Sequence, residues 1–166
     1  MHIADDDLTH PAVIELVGRH LAGMHEHSPP ESVFALDVGG LRAPGVTFVV
    51  AWDGDEPIGC GAIKQLDDPT GGPPSGELKS MRTADAHLRR GVGASILDHL
   101  VHLARTRGYA RVCLETGTGP AFDAAHALYR RAGFVECGAF GEYVATDFSR
   151  YFALDLADAG SVRRCR

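Results

Sequence analysis

The sequence predicts a three-layer α/β/α fold built on one mixed sheet. Two observations carry that expectation. The second half alternates short β-forming runs with amphipathic helical stretches that end in glycine, and the first half sets helical patterns ahead of three strand-like runs joined by turns. At 166 residues the chain suits a single domain with a sizeable core, expected over residues 1–160, with 161–166 as a disordered tail.

The first helix is expected to start near Thr9-His10-Pro11, with Thr9 as N-cap and Pro11 in the first turn. Val13, Leu16, Val17, Leu21 and Met24 then recur at helical spacing. Ser28-Pro29-Pro30-Glu31-Ser32 ends that helix and predicts a second, short one through Val33-Phe34-Ala35-Leu36. Gly39-Gly40 and Pro44-Gly45 bracket a loop. Residues 46–52 and 58–66 read as a hairpin around a turn at 53–57, and the Pro- and Gly-rich stretch 67–76 leads to a strand at 77–83. Residues 91–107 place Ile96, Leu97, Leu100, Leu103 and Ala104 on one helix face, with Gly108 as the stop. A strand at 109–115 follows, then a helix at 120–132 with Phe122, Ala125, Leu128, Tyr129 and Ala132 on one stripe, ended by Gly133. Strands at 134–138 and 150–156 complete the order αα-βββ-α-β-α-ββ.

Composition removes several function classes. A formal net charge of −6 gives no electrostatic footprint for nucleic acid. No apolar run approaches the roughly 18–20 residues of a membrane span. Met1-His2-Ile3-Ala4 runs directly into Asp5-Asp6-Asp7 without the order of a signal peptide, so a cytoplasmic protein is expected. Cys60, Cys113, Cys137 and Cys165 form no C-x-x-C pair and the nine histidines no H-E-x-x-H set, so no metal is expected. Cys60 and Cys113 sit in apolar runs and read as core.

The stretch that carries chemistry is Arg89-Arg90-Gly91-Val92-Gly93-Ala94, directly ahead of an amphipathic helix. Glycines let the backbone turn sharply and approach a ligand. The helix start offers amide hydrogens without intrahelical partners and the positive end of the dipole. With two arginines added, this is a site for phosphate oxygens. A P-loop is excluded because no Lys-Ser or Lys-Thr follows. A dinucleotide fingerprint is excluded because position 96 is Ile and residues 84–90 separate strand from glycines.

In its order of elements, from about residue 45 to residue 156, the chain resembles the GNAT superfamily of acetyl-CoA-dependent N-acetyltransferases. The glycine turn is similar to that superfamily's pyrophosphate loop, [QR]-x-x-G-x-[GA], with Gly91 and Gly93 at its last fixed positions. Position 88 is Leu where Gln or Arg is usual, and Arg89 or Arg90 is expected to supply the charge. Ser28-Pro29-Pro30-Glu31-Ser32, the run 76–83 and Leu114-Glu115-Thr116-Gly117 further resemble one small bacterial single-domain subgroup without an assigned substrate. The resemblance implies acetyl-CoA as co-substrate and a sheet splayed between the strands at about 77–83 and 109–115. It implies pantetheine in that V against backbone groups at Met81 and Thr83, with Arg82 between them, and pyrophosphate on Arg89, Arg90, Gly91, Val92, Gly93 and Ala94. A backbone amide at or near the 77–83 strand would polarise the acetyl carbonyl. A homodimer is compatible with it.

By that resemblance Tyr129, in Ala127-Leu128-Tyr129-Arg130-Arg131-Ala132-Gly133-Phe134, is the general acid for the departing CoA thiolate. Helical periodicity alone would make it a core residue. Glu77 opens the strand where many similar enzymes keep a general base, and strand alternation would set Glu77, Lys79 and Met81 on one face. An ion pair of Glu77 with Lys79 is the competing reading, one that would weaken the carboxylate as a base. Glu115, ending the neighbouring strand, is the alternative base or else a turn cap. Lys79 could instead hold an acidic group of the acceptor. His25 and Tyr143 fall in the loops that close over the acceptor in similar proteins, with a solvated helix end and a loop staple as their structural readings. The predicted reaction is acetyl transfer to a primary amine, on a small molecule rather than a protein, by direct attack in a ternary complex. An O-acetyltransferase and a non-catalytic acyl-CoA sensor are the rivals on the same scaffold.

Overall fold

The computed structural model describes residues 1–156. The expected boundary at 160, the tail 161–166 and Cys165 lie outside the described residues. The helices are α1 (Pro11–His27), α2 (Val38–Leu41), α3 (Val92–Thr106) and α4 (Asp123–Arg131). The strands are β1 (His2–Asp5), β2 (Val46–Asp53), β3 (Glu56–Leu66), β4 (Ser75–Thr83), β5 (Arg111–Thr116), β6 (Val135–Cys137) and β7 (Arg150–Asp155). They form one sheet in the order β1-β2-β3-β4-β5-β7-β6, antiparallel throughout except for the parallel pair β4–β5.

Side-chain alternation along the strands divides the core between the two faces. On one face Val13, Leu16 and Val17 of α1 pack on Phe48, Val50, Cys60 and Ala62. On the other, Ile96, Leu97 and Leu100 of α3 pack on Val49, Ile63, Leu78, Val112 and Leu114, joined by Tyr129 of α4 and by Phe152. Each such fully buried aliphatic side chain contributes about 1.5–3 kcal/mol relative to exposure. Cys60 and Cys113 are both buried, as their apolar runs predicted. Burial pushes the Cys60 thiol up to about 12, which leaves it inert as a nucleophile. No helix among the described residues is long and apolar enough to cross a membrane.

Three local expectations are corrected. The cap of α1 is His10, whose Nδ1 accepts from the Ala12 N–H at 3.2 Å. Thr9 is already engaged by Asp7, whose carboxylate accepts from both its amide and its hydroxyl. Val33–Leu36 is not helical: a 3-10 turn covers Pro30–Ser32, and the short helix forms later at α2, where the Asp37 carboxylate accepts from the Gly40 N–H at 2.8 Å. Gly39 and Gly40 are thus helical rather than loop. The sequence reading also lacked β1, which extends the sheet by pairing Ile3 with Ala51.

Two irregularities of β4 prepare the site. Lys79 pairs with Ala62 and Arg82 with Cys60, so Gly61 alone faces both Ser80 and Met81, and Ser80 takes φ +52°. This is a β-bulge, which bends its strand and resets the alternation of side chains. Glu77 and Lys79 therefore share the α1 face while Met81 turns to the α3 face, contrary to the expectation of one face for all three. Gly61 makes room for that turn, since a Cβ there would lie 2.7 Å from Met81 Sδ and 2.8 Å from Ile96 Cγ2. The second irregularity is that β4 and β5 pair only at Gly76–Val112 and Glu77–Cys113, although both strands run on.

Replacing Gly61 with Val should cost about 1–3 kcal/mol, because Ile96 is fully buried and cannot retreat. Urea unfolding of Gly61→Val against wild type measures it, and an unchanged midpoint would contradict the close packing of β3 under α3.

Candidate active site

A cavity of about 620 Å³ opens where β4 and β5 part. Its lining comes from both sheet faces. Met81, Ala125 and Tyr129 belong to the α3/α4 side, and His20, Gly23, Met24 and Phe34 to the α1 side. Lys79, Ser80 and Arg82 of β4 and Glu115 and Thr116 of β5 form the walls between. A molecule in this cavity would pass through the sheet from one face to the other.

At the α3 end of β4 lies the glycine turn. Gly91 has φ +83°, a conformation that side chains disfavour, and Arg89 has φ +59°. Ser95 donates to the Gly91 carbonyl, so the amides of Val92, Gly93 and Ala94 precede the first intrahelical bond. A Cβ on Gly93 would sit 3.4 Å from Thr83 Oγ1, which brings the turn against the end of β4. The two arginines divide their work. Arg90 Nη1 bonds His87 Nδ1 at 2.9 Å, and His87 Nε2 lies 3.2 Å from Glu56 Oε1, so Arg90 braces the turn. Arg89 is exposed beside the glycines and is the cation available to an incoming anion. Unpaired amides, left-handed backbone and a cation suit a pyrophosphate, and the unpaired β4 edge suits an extended amide-bearing chain.

Tyr129 is buried in the core against Phe134 and Phe152, with ring centroids at 5.8 and 6.2 Å, and also borders the cavity. Burial raises its phenol above the ordinary value, so it holds its proton at neutral pH. The core packing expected from helical periodicity is therefore present, in a side chain that also reaches the cavity.

The two carboxylates differ in their surroundings. Glu77 is buried, and its Oε1 accepts from the Tyr143 hydroxyl at 2.5 Å and from Lys79 Nζ at 3.1 Å. Lys79 Nζ also donates to Tyr143 Oη at 2.9 Å. Glu77, Lys79 and Tyr143 form a closed triangle, of which only Lys79 borders the cavity. Glu115 borders it directly, and its buried Oε1 has no hydrogen-bond partner among the described residues. Burial raises the Glu115 carboxyl above the ordinary value, and the neighbouring Ser149 and Lys79 pull it only part of the way back. His25 is exposed and stands outside the lining, which takes Met24, Glu26 and His27 instead.

The reading from sequence missed His20, Ser80 and Phe34. His20 was accessible in principle, since it falls four residues from both Leu16 and Met24 on the inward face of α1. Burial, reinforced by the nearby Arg82 charge, lowers the His20 imidazole to about 4.

The matching family model is the acetyltransferase (GNAT) family, over residues 11–134. The chain belongs to that family. It is an acyltransferase. It is 49% identical to the uncharacterized N-acetyltransferase YedL of Escherichia coli over 156 residues, 94% of this chain and 95% of that protein. It is 48% identical to the uncharacterized N-acetyltransferase YsnE of Bacillus subtilis over 143 residues, 86% of this chain and 91% of that one. Among solved structures, an aminoglycoside 6'-N-acetyltransferase complexed with coenzyme A shares the fold at a TM-score of 0.67 and 17% identity, covering 93% of this chain and 97% of its own. The GNAT sheet with its parting of β4 and β5 is therefore the family fold in this chain.

The depressed imidazole has a consequence for stability. Between pH 6.5 and about 4 the unfolded chain binds a proton at His20 that the folded GNAT domain refuses, so stability falls as pH falls through that window. The span corresponds to a loss of up to about 3 kcal/mol. Urea unfolding at pH 7 and pH 4.5 should show a smaller loss in His20→Gln than in wild type, and equal losses would sink the assignment.

Proposed function

We propose that this GNAT acyltransferase moves the acetyl group of acetyl-CoA to a primary amine of a small molecule, by direct attack in a ternary complex. The observation that carries the reading is the cavity at the β4–β5 gap, with Glu115 in its lining and the glycine turn packed against the end of the same β4 strand. Acetyl-CoA would supply the activated thioester. Val92, Gly93 and Ala94 amides with Arg89 would hold its pyrophosphate, and the free edge of β4 around Met81 and Thr83 its pantetheine.

Glu115 is the base in this reading. An ammonium cannot attack a carbonyl, so a group of modestly raised pKa must take its proton near neutral pH. Glu115 meets that need by its place in the cavity lining and by the burial that raises its carboxyl. Glu77 stands outside the cavity lining, and its Oε1, engaged by both Tyr143 and Lys79, serves to position them. Once deprotonated, the nitrogen attacks the thioester carbon. The C–N bond forms, the C–S bond breaks, Tyr129 gives its hydroxyl proton to the departing sulfur, and the second proton shed by the new amide nitrogen restores the Tyr129 hydroxyl. The Glu115 carboxylate supports an amine over a hydroxyl acceptor, because it would greet an ammonium with both charge and hydrogen bond.

Acetyl-CoA binding tests the donor half. Gly93→Glu keeps a tolerable helix position, where its Cβ meets only ordinary contacts and a first-turn carboxylate favours the dipole. It should fold and yet lose acetyl-CoA binding by about tenfold or more in calorimetry, through repulsion of the phosphates. Undiminished binding would remove the glycine turn from the donor site, and no wild-type binding would end the reading.

The acid–base half predicts that Glu115→Gln lowers kcat by about 10²–10⁴ and removes the acid limb of the pH profile. Glu77→Gln should leave that limb in place. If the limb instead followed Glu77, the two carboxylates would exchange roles.

A further inference from the structure

The chain between β4 and α3 has little backbone to hold its shape. Ala84 donates to the Ile58 carbonyl at 2.9 Å, and a 3-10 turn over Asp85–His87 follows. From there to the first intrahelical bond at Ser95, the amides of Arg89, Arg90 and Gly91 donate to no backbone carbonyl among the described residues. Arg89 takes φ +59° and Gly91 φ +83°, so two left-handed residues flank Arg90. A segment with such dihedrals keeps one shape only where its surroundings over-determine it.

Side chains supply the hold. The buried His87 ring meets Arg90 Nη1 with its Nδ1 at 2.9 Å and Glu56 Oε1 with its Nε2 at 3.2 Å. A guanidinium only donates, so the ring nitrogen facing it must be bare. The ring proton therefore sits on Nε2 and is donated to Glu56, which opens β3. The link from His87 to Arg90 spans three residues and closes around Arg89, directly ahead of Gly91. Glu56 ties that clip to the hairpin of β2 and β3, 31 positions away. At the other end of the turn Gly93 lies against Thr83 Oγ1. Residues 87–93 are thus held at both ends. His87 itself stands outside the cavity lining, and both of its nitrogens are engaged.

Resting on the reading of this turn as the acetyl-CoA phosphate site, we propose that His87 is a positioning residue for the donor. In its Nε2–H tautomer it clips Arg90, and through Arg90 it fixes the turn that presents the Val92, Gly93 and Ala94 amides. Those amides survive an exchange of side chain; their arrangement is what the clip supplies. Order already present before a ligand arrives is not subtracted from its affinity.

The test compares His87→Leu with His87→Asn by calorimetry of acetyl-CoA, with thermal melts confirming that each variant is folded. The two substitutions lose the same ring and are close in size, but only Asn keeps an acceptor near the Nδ1 position. His87→Leu should raise the Kd by about three- to tenfold, the scale of ordering one or two side chains, and His87→Asn should stay within about twofold of wild type. On an Arg90→Ala background the Leu substitution should add less than about twofold, because the two residues act as one link. Equal losses in Leu and Asn, an unchanged Kd in Leu, or a full Leu effect without Arg90 would each overturn the inference. Should His87→Leu not fold, two-bond proton–nitrogen spectra of the wild type at pH 8 decide. A proton on Nε2 with Nδ1 bare supports the clip, and a proton on Nδ1 overturns it. Absence of acetyl-CoA binding in wild type would instead take down the donor-site reading itself.

Discussion

The structure depends on a sheet that parts in its middle. Parallel pairing of β4 with β5 lasts only through Gly76–Val112 and Glu77–Cys113, and beyond it both strands continue without one another. Separated strands leave backbone amides and carbonyls that must find partners, and water or ligand is then the partner. The gap is held open from both sides. The bulge at Ser80 bends β4 and sends Met81 toward α3, while β5 is kept straight by six residues of register with β7, from Arg111–Asp155 to Thr116–Arg150. β4 is anchored to β3 and β5 to β7, so closing the gap would require breaking one of those ladders. The cavity is thus a property of the fold and not of any loop.

Beside that gap two carboxylates, Glu77 near the start of β4 and Glu115 near the end of β5, are given different surroundings by their neighbours. Glu77 points at Lys79 and Tyr143 and is satisfied. Glu115 is buried with an oxygen to spare, and its carboxyl rises for that reason. Two groups of the same kind thus sit in unlike surroundings, one paired and one desolvated. The same contrast holds for the cations: Arg90 and Lys79 are committed to protein partners, while Arg89 and the inner edge of Arg82 are not.

Much of this was legible in the sequence where local rules act. The helices at α1, α3 and α4 followed from 3.6-residue periodicity, and the sharp turn at Gly91 from glycines ahead of a helix. The order of elements led to the family through resemblance. What escaped was decided by contacts between distant residues. The four residues of β1 carry no strand pattern of their own and exist through β2. Helix over Val33–Leu36 lost to the Asp37 cap a few residues on. The turn of Met81 away from Lys79 could not be read, because a bulge breaks the period of two on which alternation rests. The triangle of Glu77, Lys79 and Tyr143 joins residues more than sixty positions apart. Periodicity can assign a face to a residue, but whether a buried polar atom finds a partner there is a tertiary fact.

The acceptor side shows why family membership leaves the substrate open. Tyr143 is tied to β4 through Glu77 and Lys79, and its ring meets Phe34 edge-on at 5.0 Å and Phe140 at 5.2 Å, with Tyr151 at 5.7 Å. This aromatic chain joins the segment after α1 to the segment after β6 across the mouth of the cavity. Edge-to-face packing adds to the area each ring buries and ties the two connections to β4. The donor end is built from backbone, whose amides survive almost any change of side chain. The cavity lining is built from side chains on α1, β4, β5 and the connections beside them, which can change while the fold stays. A structure sharing only 17% of residues can therefore keep the whole fold, and what it accepts must be read from its own lining.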